Sequence, residues 1–392
     1  MRFIPRLLGE EIRRAARHFP ALIVTGPRRA GKTTLLRRLF PHATYRLLED
    51  PDIVARIRTD PRAFMTELRA PVILDEVQNA PEILAYVRTR IDAAPRRVGQ
   101  WILTGSQDAP LMQGVTESLA GRTAVFQLLP LSTRETDKVS LLRGGFPEVL
   151  ARPAAATVWF QSYVQTYLER DVRAVSAIRD LATFRRFLAL LASRCGQILN
   201  RTDLAAPLGV SVPTVSQWLS IMEVTAQIIL IPPFFENFGK RLVKSPKLYF
   251  VDSGLVCHLL GLESERDLGR SPFLGPLFEG FVASEILKHQ VSTGRPRHLY
   301  YFRDQQGLEI DFVVPAGHRR LVLIEAKASR TVVPQMGTSL VRLANGGRRY
   351  QLSRFLVYRP QGEAARLSAL RPGVQAGDLN RLLTLIGQRE SS

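Results

Sequence analysis

The chain has 392 residues, of which 45% are hydrophobic and 23% charged, values typical of a folded protein with two or three domains rather than a disordered chain. Its apolar runs are too short for a membrane helix, its first residues do not have the pattern expected of a secretory signal, and only two cysteines occur. We therefore expect a cytoplasmic protein without membrane contact, disulfides or structural zinc. Lysine and arginine exceed aspartate and glutamate by 54 to 35, a net charge of +19. This surplus makes DNA a candidate partner, although a coding bias toward arginine would produce the same count.

Residues 20–130 alternate short apolar runs with helical stretches, a pattern that predicts an α/β domain with a mostly parallel sheet. The predicted strands are Ala21–Thr25, Thr44–Leu48, Val72–Leu74, Trp101–Thr104 and Val125–Leu128. A change to helical periodicity after a Gly-Gly-Phe-Pro break, and later clusters of glycine and proline, indicate two boundaries. The predicted domains are residues 1–135, 136–235 and 236–392.

A phosphate-binding loop follows the first predicted strand. Its sequence fits G-x-x-x-x-G-K-[ST] and consists of Gly26, Pro27, Arg28, Arg29, Ala30, Gly31, Lys32 and Thr33, with Thr34 next in the chain. The loop is followed by a helical stretch, so backbone amides and the helix dipole would hold phosphates. Lys32 is expected to reach the β- and γ-phosphates of ATP, and Thr33 to ligate Mg²⁺.

Polar residues at the ends of later strands complete the predicted nucleotide site. Asp75 and Glu76 end an apolar strand, where Asp75 would hold Mg²⁺ and Glu76 would activate the attacking water. Ser106 follows the next strand and is expected near the γ-phosphate. Arg122 is either an arginine finger or phosphate sensor, acting within one chain or between chains of a homo-oligomer, or a solvated surface residue.

Residues 202–219 have the pattern of a helix-turn-helix, with Thr202 as the predicted first cap and Gly209 in the turn. Residues 211–223 contain no lysine or arginine, so a winged-helix lid on the ATPase is as compatible with the pattern as DNA reading. The basic residues that follow are interpreted as a wing that contacts phosphates or as a solvated hairpin; they are Lys240, Arg241, Lys244 and Lys247.

A second site is predicted on two adjacent strands of the third domain. Period-2 alternation would bring Asp311, Glu325 and Lys327 together, with Glu279 on a preceding helix as a fourth member. The carboxylates would share Mg²⁺ and Lys327 would act in catalysis. The alternative is a set of cross-strand ion pairs without catalytic function.

The chain resembles prokaryotic AAA-type (AAA+) P-loop ATPases that carry a C-terminal domain of unknown function with a PD-(D/E)XK nuclease-like fold. The resemblance spans nearly the whole chain and rests on the phosphate loop, residues 74–76, 104–106, 119–122, 144–148, 167–171 and 249–254, and Glu279, 309–312 and 325–327. It implies an α/β protein: a P-loop AAA-type parallel sheet, then a winged-helix or helical domain, then a restriction-endonuclease-like α/β domain. It also implies ATP and Mg²⁺ as cofactors and ATP hydrolysis.

Three functions are compatible with these residues. The leading hypothesis is a Mg²⁺-dependent ATPase whose nucleotide state repositions the other two domains, with DNA as a candidate substrate. The second is an ATP-dependent DNA endonuclease that uses the C-terminal site. The third is an ATP-driven regulatory or partner-binding switch without nuclease activity.

Overall fold

The structure is a computed structural model. It describes residues 3–105, 117–168, 181–234, 244–317, 319–344, 350–360 and 368–388.

The first domain is a five-stranded sheet between helices. Its elements are α1 (Leu8–Ala15), β1 (Ala21–Thr25), α2 (Lys32–Leu39), β2 (Thr44–Leu47), α3 (Pro51–Thr59), α4 (Pro61–Glu67), β3 (Val72–Asp75), α5 (Ile83–Ala93), β4 (Trp101–Thr104) and β5 (Thr123–Gln127). All strand pairs are parallel, in the order β2-β3-β4-β1-β5. The predicted parallel sheet is therefore confirmed, with strand ends shifted by at most two residues.

Both faces of the three central strands, β3, β4 and β1, are buried, as their apolar sequences require. Successive residues of β1 point to opposite faces: Ala21 and Ile23 belong to one hydrophobic cluster, and Leu22 and Val24 to another. Because every strand runs in the same direction, the residues that follow β1, β3 and β4 meet at one edge of the sheet.

The middle of the chain is mainly helical. Its elements are α6 (Pro147–Ala151), α7 (Ala156–Tyr163), α8 (Leu181–Ser193), α9 (Arg201–Ala205), α10 (Val212–Val224), β6 (Ile228–Ile231), β7 (Lys247–Phe250), α11 (Ser253–Leu259) and α12 (Glu265–Arg270). Strands β6 and β7 pair antiparallel, so the predicted boundary between residues 235 and 236 falls inside a two-stranded sheet.

The two helices of the predicted helix-turn-helix are present as α9 and α10. Gly209 lies between them with φ of 66°, as its predicted turn position requires. The prediction that Thr202 caps the first helix is wrong. Asn200 caps it instead, because its side chain accepts from the backbone amides of Thr202 and Asp203.

The last part of the chain is a six-stranded mixed sheet with helices. Its elements are α13 (Leu274–Ser292), β8 (Tyr300–Arg303), β9 (Glu309–Pro315), β10 (Arg320–Lys327), α14 (Thr338–Ala344), β11 (Gln351–Tyr358), β12 (Ser368–Arg371), β13 (Val374–Gly377) and α15 (Leu379–Gly387). The strand order is β12-β13-β11-β10-β9-β8, with β9 antiparallel and β11 parallel to β10.

Helix α13 connects the three parts of the molecule. It contacts α1 and β5 of the first domain, β7 and α11 of the middle part, and β10 and α15 of the last. Most of its 19 residues are buried, including Glu285, which has no exposed surface. Within the part of the chain that the structure describes, neither this helix nor any other is long and apolar enough to cross a membrane.

Candidate functional site

The loop between β1 and α2 depends on two glycines. Gly26 has φ of 138°, and a Cβ atom there would lie 2.1 Å from the carbonyl oxygen of Leu128. Gly31 has φ of 95° and directly precedes α2. Positive φ and the close backbone approach both favour glycine, so the two fixed positions of the motif have a local structural cause.

Lys32 is the first residue of α2, and its side chain folds back over the loop. It is only 5% exposed, and its Nζ donates hydrogen bonds to the carbonyl oxygens of Gly26 (3.0 Å) and Pro27 (3.2 Å). The ammonium group is thus held beside the loop that leads into the N-terminus of the eight-residue helix α2. Positive charge at a helix N-terminus makes a site for an anion such as a phosphate group.

Asp75 accepts hydrogen bonds from hydroxyl groups of three different elements at the carboxyl edge of the sheet. Its Oδ2 accepts from Thr33 Oγ1 (2.7 Å) and from the Tyr45 hydroxyl (2.7 Å), and its Oδ1 accepts from Thr104 Oγ1 (2.5 Å). Burial and the adjacent Asp75 carboxylate raise the pKa of Tyr45, so its phenol stays protonated and donates. Thr33 and Asp75 are hard oxygen donors at the cleft, and they fit Mg²⁺.

Glu76 follows Asp75 in a left-handed conformation, with φ of 59°. This conformation is uncommon for glutamate, and such strain is often found at functional sites. Gln78 Nε2 donates to Glu76 Oε2 at 2.5 Å, and Asn79 Nδ2 donates to the Glu76 carbonyl oxygen at 3.2 Å. The Gln78 amide therefore fixes the Glu76 carboxylate at the cleft, and the Asn79 amide fixes the Glu76 backbone.

These groups line a cleft of about 780 Å³, within the ~300–1,000 Å³ range of small-molecule sites. The predicted residues that line it are Arg28, Arg29, Ala30, Gly31, Lys32, Thr33, Thr34, Asp75 and Glu76. Gly26 and Pro27 border Lys32 through their carbonyl groups. Ser106 lies outside the described residues.

Arg122 is not brought to this cleft. It directly precedes β5, and its carbonyl oxygen accepts from the amide of Ala21, the first residue of β1. Arg122 therefore lies at the amino edge of the parallel sheet, opposite the phosphate loop. Its Nε pairs with Asp92 Oδ1 at 2.7 Å, and its side chain is 34% exposed.

Sequence reasoning missed Tyr45 and Thr104. Thr104 was within reach of prediction, because it ends β4 beside the strand that carries Asp75, and ends of adjacent parallel strands share one edge. Tyr45 lies inside β2, and only the tertiary structure shows that its hydroxyl reaches Asp75.

The four residues of the predicted C-terminal site also come together. The Asp311 Oδ2 accepts from the backbone amide of Ala326 at 2.8 Å, which joins β9 to β10 beside Glu325. Lys327 Nζ lies 2.6 Å from Glu325 Oε1. Burial, together with the charges of Glu279 and Glu325, raises the pKa of Asp311 well above its ordinary value.

Two residues from β7 enter this cluster, and neither was predicted there. Lys247 Nζ lies 2.9 Å from Glu279 Oε1 and also pairs with Glu309, while the Tyr249 hydroxyl donates to Glu279 Oε1 at 2.5 Å. The interpretation of Lys247 as part of a phosphate-contacting or solvated basic wing is wrong, because its side chain is only 3% exposed and ion-paired. Lys240 and Arg241 of that group lie outside the described residues.

No group of three histidine, cysteine, aspartate or glutamate side chains is arranged to hold a metal ion among the residues that the structure describes. Glu279, Asp311 and Glu325 are therefore neighbours without being a preformed metal cage.

Comparison with known proteins divides the chain into three family matches. Residues 18–136 match a family described as AAA domain, 135–266 match Domain of unknown function DUF8612, and 274–371 match Domain of unknown function DUF4143. The first match covers the phosphate loop, Asp75, Glu76 and the five-stranded sheet.

Two mycobacterial relatives match over most of their length. Uncharacterized protein Rv2008c of Mycobacterium tuberculosis and uncharacterized protein Mb2031c of Mycobacterium bovis are each 31% identical over 391 residues, which cover 96% of this chain and 86% of the relative. The chain belongs to the family of these proteins. Its first domain is an AAA-type P-loop ATPase domain.

Solved structures to which the chain is similar include the Walker-type ATPase PABY2304 of Pyrococcus abyssi, with 16% identity, a TM-score of 0.41 and coverage of 64% of this chain and 94% of that chain. A Thermotoga maritima RuvB variant has 16% identity, a TM-score of 0.29 and coverage of 58% and 86%. Both TM-scores are below 0.5, so the assignment to the AAA type depends on the family match.

Proposed function

We propose that the protein binds ATP with Mg²⁺ in the cleft beside Lys32 and hydrolyses it. The observation that carries the proposal is the convergence of Lys32, Thr33, Asp75 and Glu76 at one edge of the AAA sheet. Lys32 would contact the β- and γ-phosphates, and Thr33 and Asp75 would hold Mg²⁺, which supplies charge neutralisation for the transferred phosphoryl group.

Glu76 is the proposed general base. Its carboxylate is anchored by Gln78 on one oxygen, Oε2, which supports orientation of a water molecule by the other, Oε1. Among the acids that line the cleft, it directly follows the proposed metal-binding Asp75, so it is placed to accept the proton of a water that attacks the γ-phosphate.

The test is nucleotide binding by calorimetry in Lys32→Ala, with Lys138→Ala as the matched control because Lys138 is exposed and outside the cleft. We expect ATP affinity to fall at least about tenfold in Lys32→Ala, since a charge-assisted contact contributes ~1.5–3 kcal/mol, and to be unchanged in the control. Equal affinity in both variants would refute the site.

Arg122 is proposed to act on a neighbouring chain. Its position at the edge opposite its own phosphate loop supports a role in the cleft of a second copy in a homo-oligomer, since it cannot reach its own. The Asp92 ion pair would hold the guanidinium in place until that contact forms. An arginine finger contributes ~10³–10⁵ to the rate of phosphoryl transfer.

This role is tested by mixing variants. Lys32→Ala and Arg122→Ala should each hydrolyse ATP poorly alone, and their mixture should recover activity, because Arg122 of one chain serves the intact cleft of the other. Arg90→Ala, an exposed arginine of α5, is the matched control and should retain activity alone. No recovery on mixing, in a chain shown to self-associate, would contradict the role.

A buried segment supports coupling between the cleft and the rest of the molecule. Residues 129–135, which we call the strap, lie between the AAA domain and α13. On one side, Arg6 donates to Ala30 of the phosphate loop (2.9 Å), to the carbonyl of Leu129 (2.6 Å) and to Glu135 (2.9 Å). A change at the phosphate loop would therefore reach the strap through one side chain.

On its other side the strap is fixed to α13. Glu285 accepts from the amide (2.7 Å) and the hydroxyl (2.6 Å) of Thr133, and Lys288 donates to the Leu131 carbonyl at 3.1 Å. Because α13 also carries Glu279 of the C-terminal cluster, we propose that it transmits the nucleotide state to the last domain.

For the other two domains we propose a winged-helix unit and a nuclease-like unit. The order α9, α10, β6 and β7 supports the first, and one helix followed by three antiparallel strands, a helix and a parallel strand supports the second. The exposed face of α10 consists of residues such as Val212, Pro213 and Gln217 and carries no cation, which favours a lid over a DNA reader.

The alternative, an ATP-dependent DNA endonuclease, is tested by incubating plasmid and single-stranded DNA with Mg²⁺ or Mn²⁺, with and without ATP. Cleavage that disappears in Lys327→Ala would support it. Cleavage that persists at the same rate in that variant would come from another source and would remove this alternative.

A further inference from the structure

Lys247 occupies the centre of the C-terminal acidic cluster. It comes from β7 of the middle part of the chain, whereas Glu279 lies on α13 and Glu309 on β9. Its side chain is 3% exposed and pairs with both carboxylates, at 2.9 Å for Glu279 Oε1. The positive charge of Lys247 is therefore paired with carboxylates inside the protein.

The carboxylates predicted to bind Mg²⁺ are already engaged by the chain itself. Glu279 Oε1 accepts from both Lys247 and Tyr249, Glu325 Oε1 pairs with Lys327 at 2.6 Å, and Asp311 Oδ2 accepts a backbone amide. Mg²⁺ requires near-octahedral oxygen ligands at ~2.0–2.1 Å. Binding Mg²⁺ through these three oxygens would break the contacts named here, whereas Glu325 Oε2 is buried and accepts no hydrogen bond.

The charge balance within the cluster leads to the same conclusion. Its four carboxylates are Glu279, Glu309, Asp311 and Glu325, and its three cations are Lys247, Lys327 and Arg303, the last 3.3 Å from Glu309. Four negative and three positive formal charges leave −1, too little for a dication to be neutralised. A buried ammonium close to the site would also repel it.

We propose that Lys247 takes the place of the metal ion that a nuclease-like fold implies, and that this cluster of the C-terminal domain holds no divalent cation. The residues present do not fit a divalent cation. Lys247 instead fastens β7 to α13 and β9, which makes the cluster a joint between the middle and last parts of the chain. This inference concerns the last domain and stands independently of ATP hydrolysis in the first.

The test is Mn²⁺ binding to the full chain without nucleotide, measured by electron paramagnetic resonance. Wild type and Asp311→Asn should bind the same number of Mn²⁺ ions with the same affinity, because no site depends on Asp311. Any Mn²⁺ bound weakly at Asp75 is common to both proteins and cancels in the comparison. An Mn²⁺ ion that is present in wild type and lost in Asp311→Asn would overturn the proposal.

The second arm removes the lysine. Lys247→Met keeps the length and burial of the side chain and leaves the carboxylates uncompensated. It should gain an Mn²⁺ site that the double variant Lys247→Met/Asp311→Asn lacks. A folded Lys247→Met protein without a gained site would overturn the substitution of lysine for metal. If Lys247→Met does not fold, the wild-type comparison with Asp311→Asn decides alone.

Discussion

The cleft of the AAA domain and the C-terminal acidic cluster are built from similar groups with different contacts. Both combine lysine with acidic residues at the ends of strands or on their buried faces. In the cleft, Lys32 is held by neutral carbonyl groups and Asp75 by neutral hydroxyls. In the cluster, Lys247 and Lys327 are held by carboxylates.

The function of a charged side chain depends on its contacts, which the residue types alone do not show. The hydroxyl groups that hold Asp75 are neutral, so its negative charge can be used on Mg²⁺. Salt bridges neutralise Lys247 and Glu279 against each other, so little charge is left for a ligand. Whether a carboxylate is paired with a cation therefore decides between a binding site and a joint.

The largest expected effect is on the rate of catalysis, and it distinguishes the cleft from the acidic cluster. Glu76→Gln should lower the rate of ATP hydrolysis by about 10²–10⁴-fold while ATP still binds, because a general base contributes by that amount. Glu325→Gln in the cluster should leave the rate unchanged. Steady-state hydrolysis and calorimetry measure the two properties, with Glu82→Gln as the exposed control. A rate of ATP hydrolysis equal to wild type in Glu76→Gln would show that Glu76 is not the general base.

The next effect concerns the connection between the regions. Arg6→Met removes three partly buried hydrogen bonds that join the phosphate loop to the strap, and should lower the free energy of unfolding by ~1–3 kcal/mol because their acceptors lose their donor. Chemical denaturation measures it against Arg13→Met, an exposed arginine of α1. Equal destabilisation by both variants would show that the connection carries no stability.

A smaller effect is expected from pH at the strap end of α13. Burial, with the charges of Arg134 and Arg295, lowers the pKa of His289 to about 4. The folded protein keeps this histidine neutral while the unfolded chain protonates it near its ordinary ~6.5, so stability is complete above pH 6.5 and falls as pH decreases toward 4. His289 faces α15, so its protonation weakens the packing of α13 against α15.

Melting temperature as a function of pH checks this. His289→Gln should remove a decrease of a few degrees between pH 6.5 and 4, whereas His18→Gln, at an exposed position, should keep it. The same decrease in His289→Gln would assign it to other groups.

The smallest effect tests how the cleft holds Asp75. Tyr45→Phe removes one hydroxyl donor worth ~0.5–1.5 kcal/mol and should raise the Mg²⁺ concentration for half-maximal hydrolysis by about two- to tenfold. Nucleotide affinity without Mg²⁺ should stay constant. The control is Tyr86→Phe, because Tyr86 is a partly buried tyrosine of α5. An unchanged Mg²⁺ dependence would make Tyr45 a packing residue only.

The sequence predicts the AAA sheet and its phosphate loop well because both depend on local signals. An apolar strand, glycines at positions of positive φ and a helix start lie within a few residues of one another. Asp75 is predictable for the same reason. Lys247 is not, because nothing near it in the chain indicates that β7 pairs back onto β6 and carries this lysine into contact with α13 and β9. Its counter-ions are 32 and 62 positions away, at Glu279 and Glu309.

The central claim is that the cleft acts on nucleotide and the acidic cluster does not. The most direct measurement is the steady-state rate of Mg²⁺-dependent ATP hydrolysis by Lys32→Ala and Asp311→Asn beside wild type. We expect hydrolysis to be lost in Lys32→Ala and equal to wild type in Asp311→Asn. Hydrolysis that survives in Lys32→Ala, or that disappears in a folded Asp311→Asn protein, would contradict it.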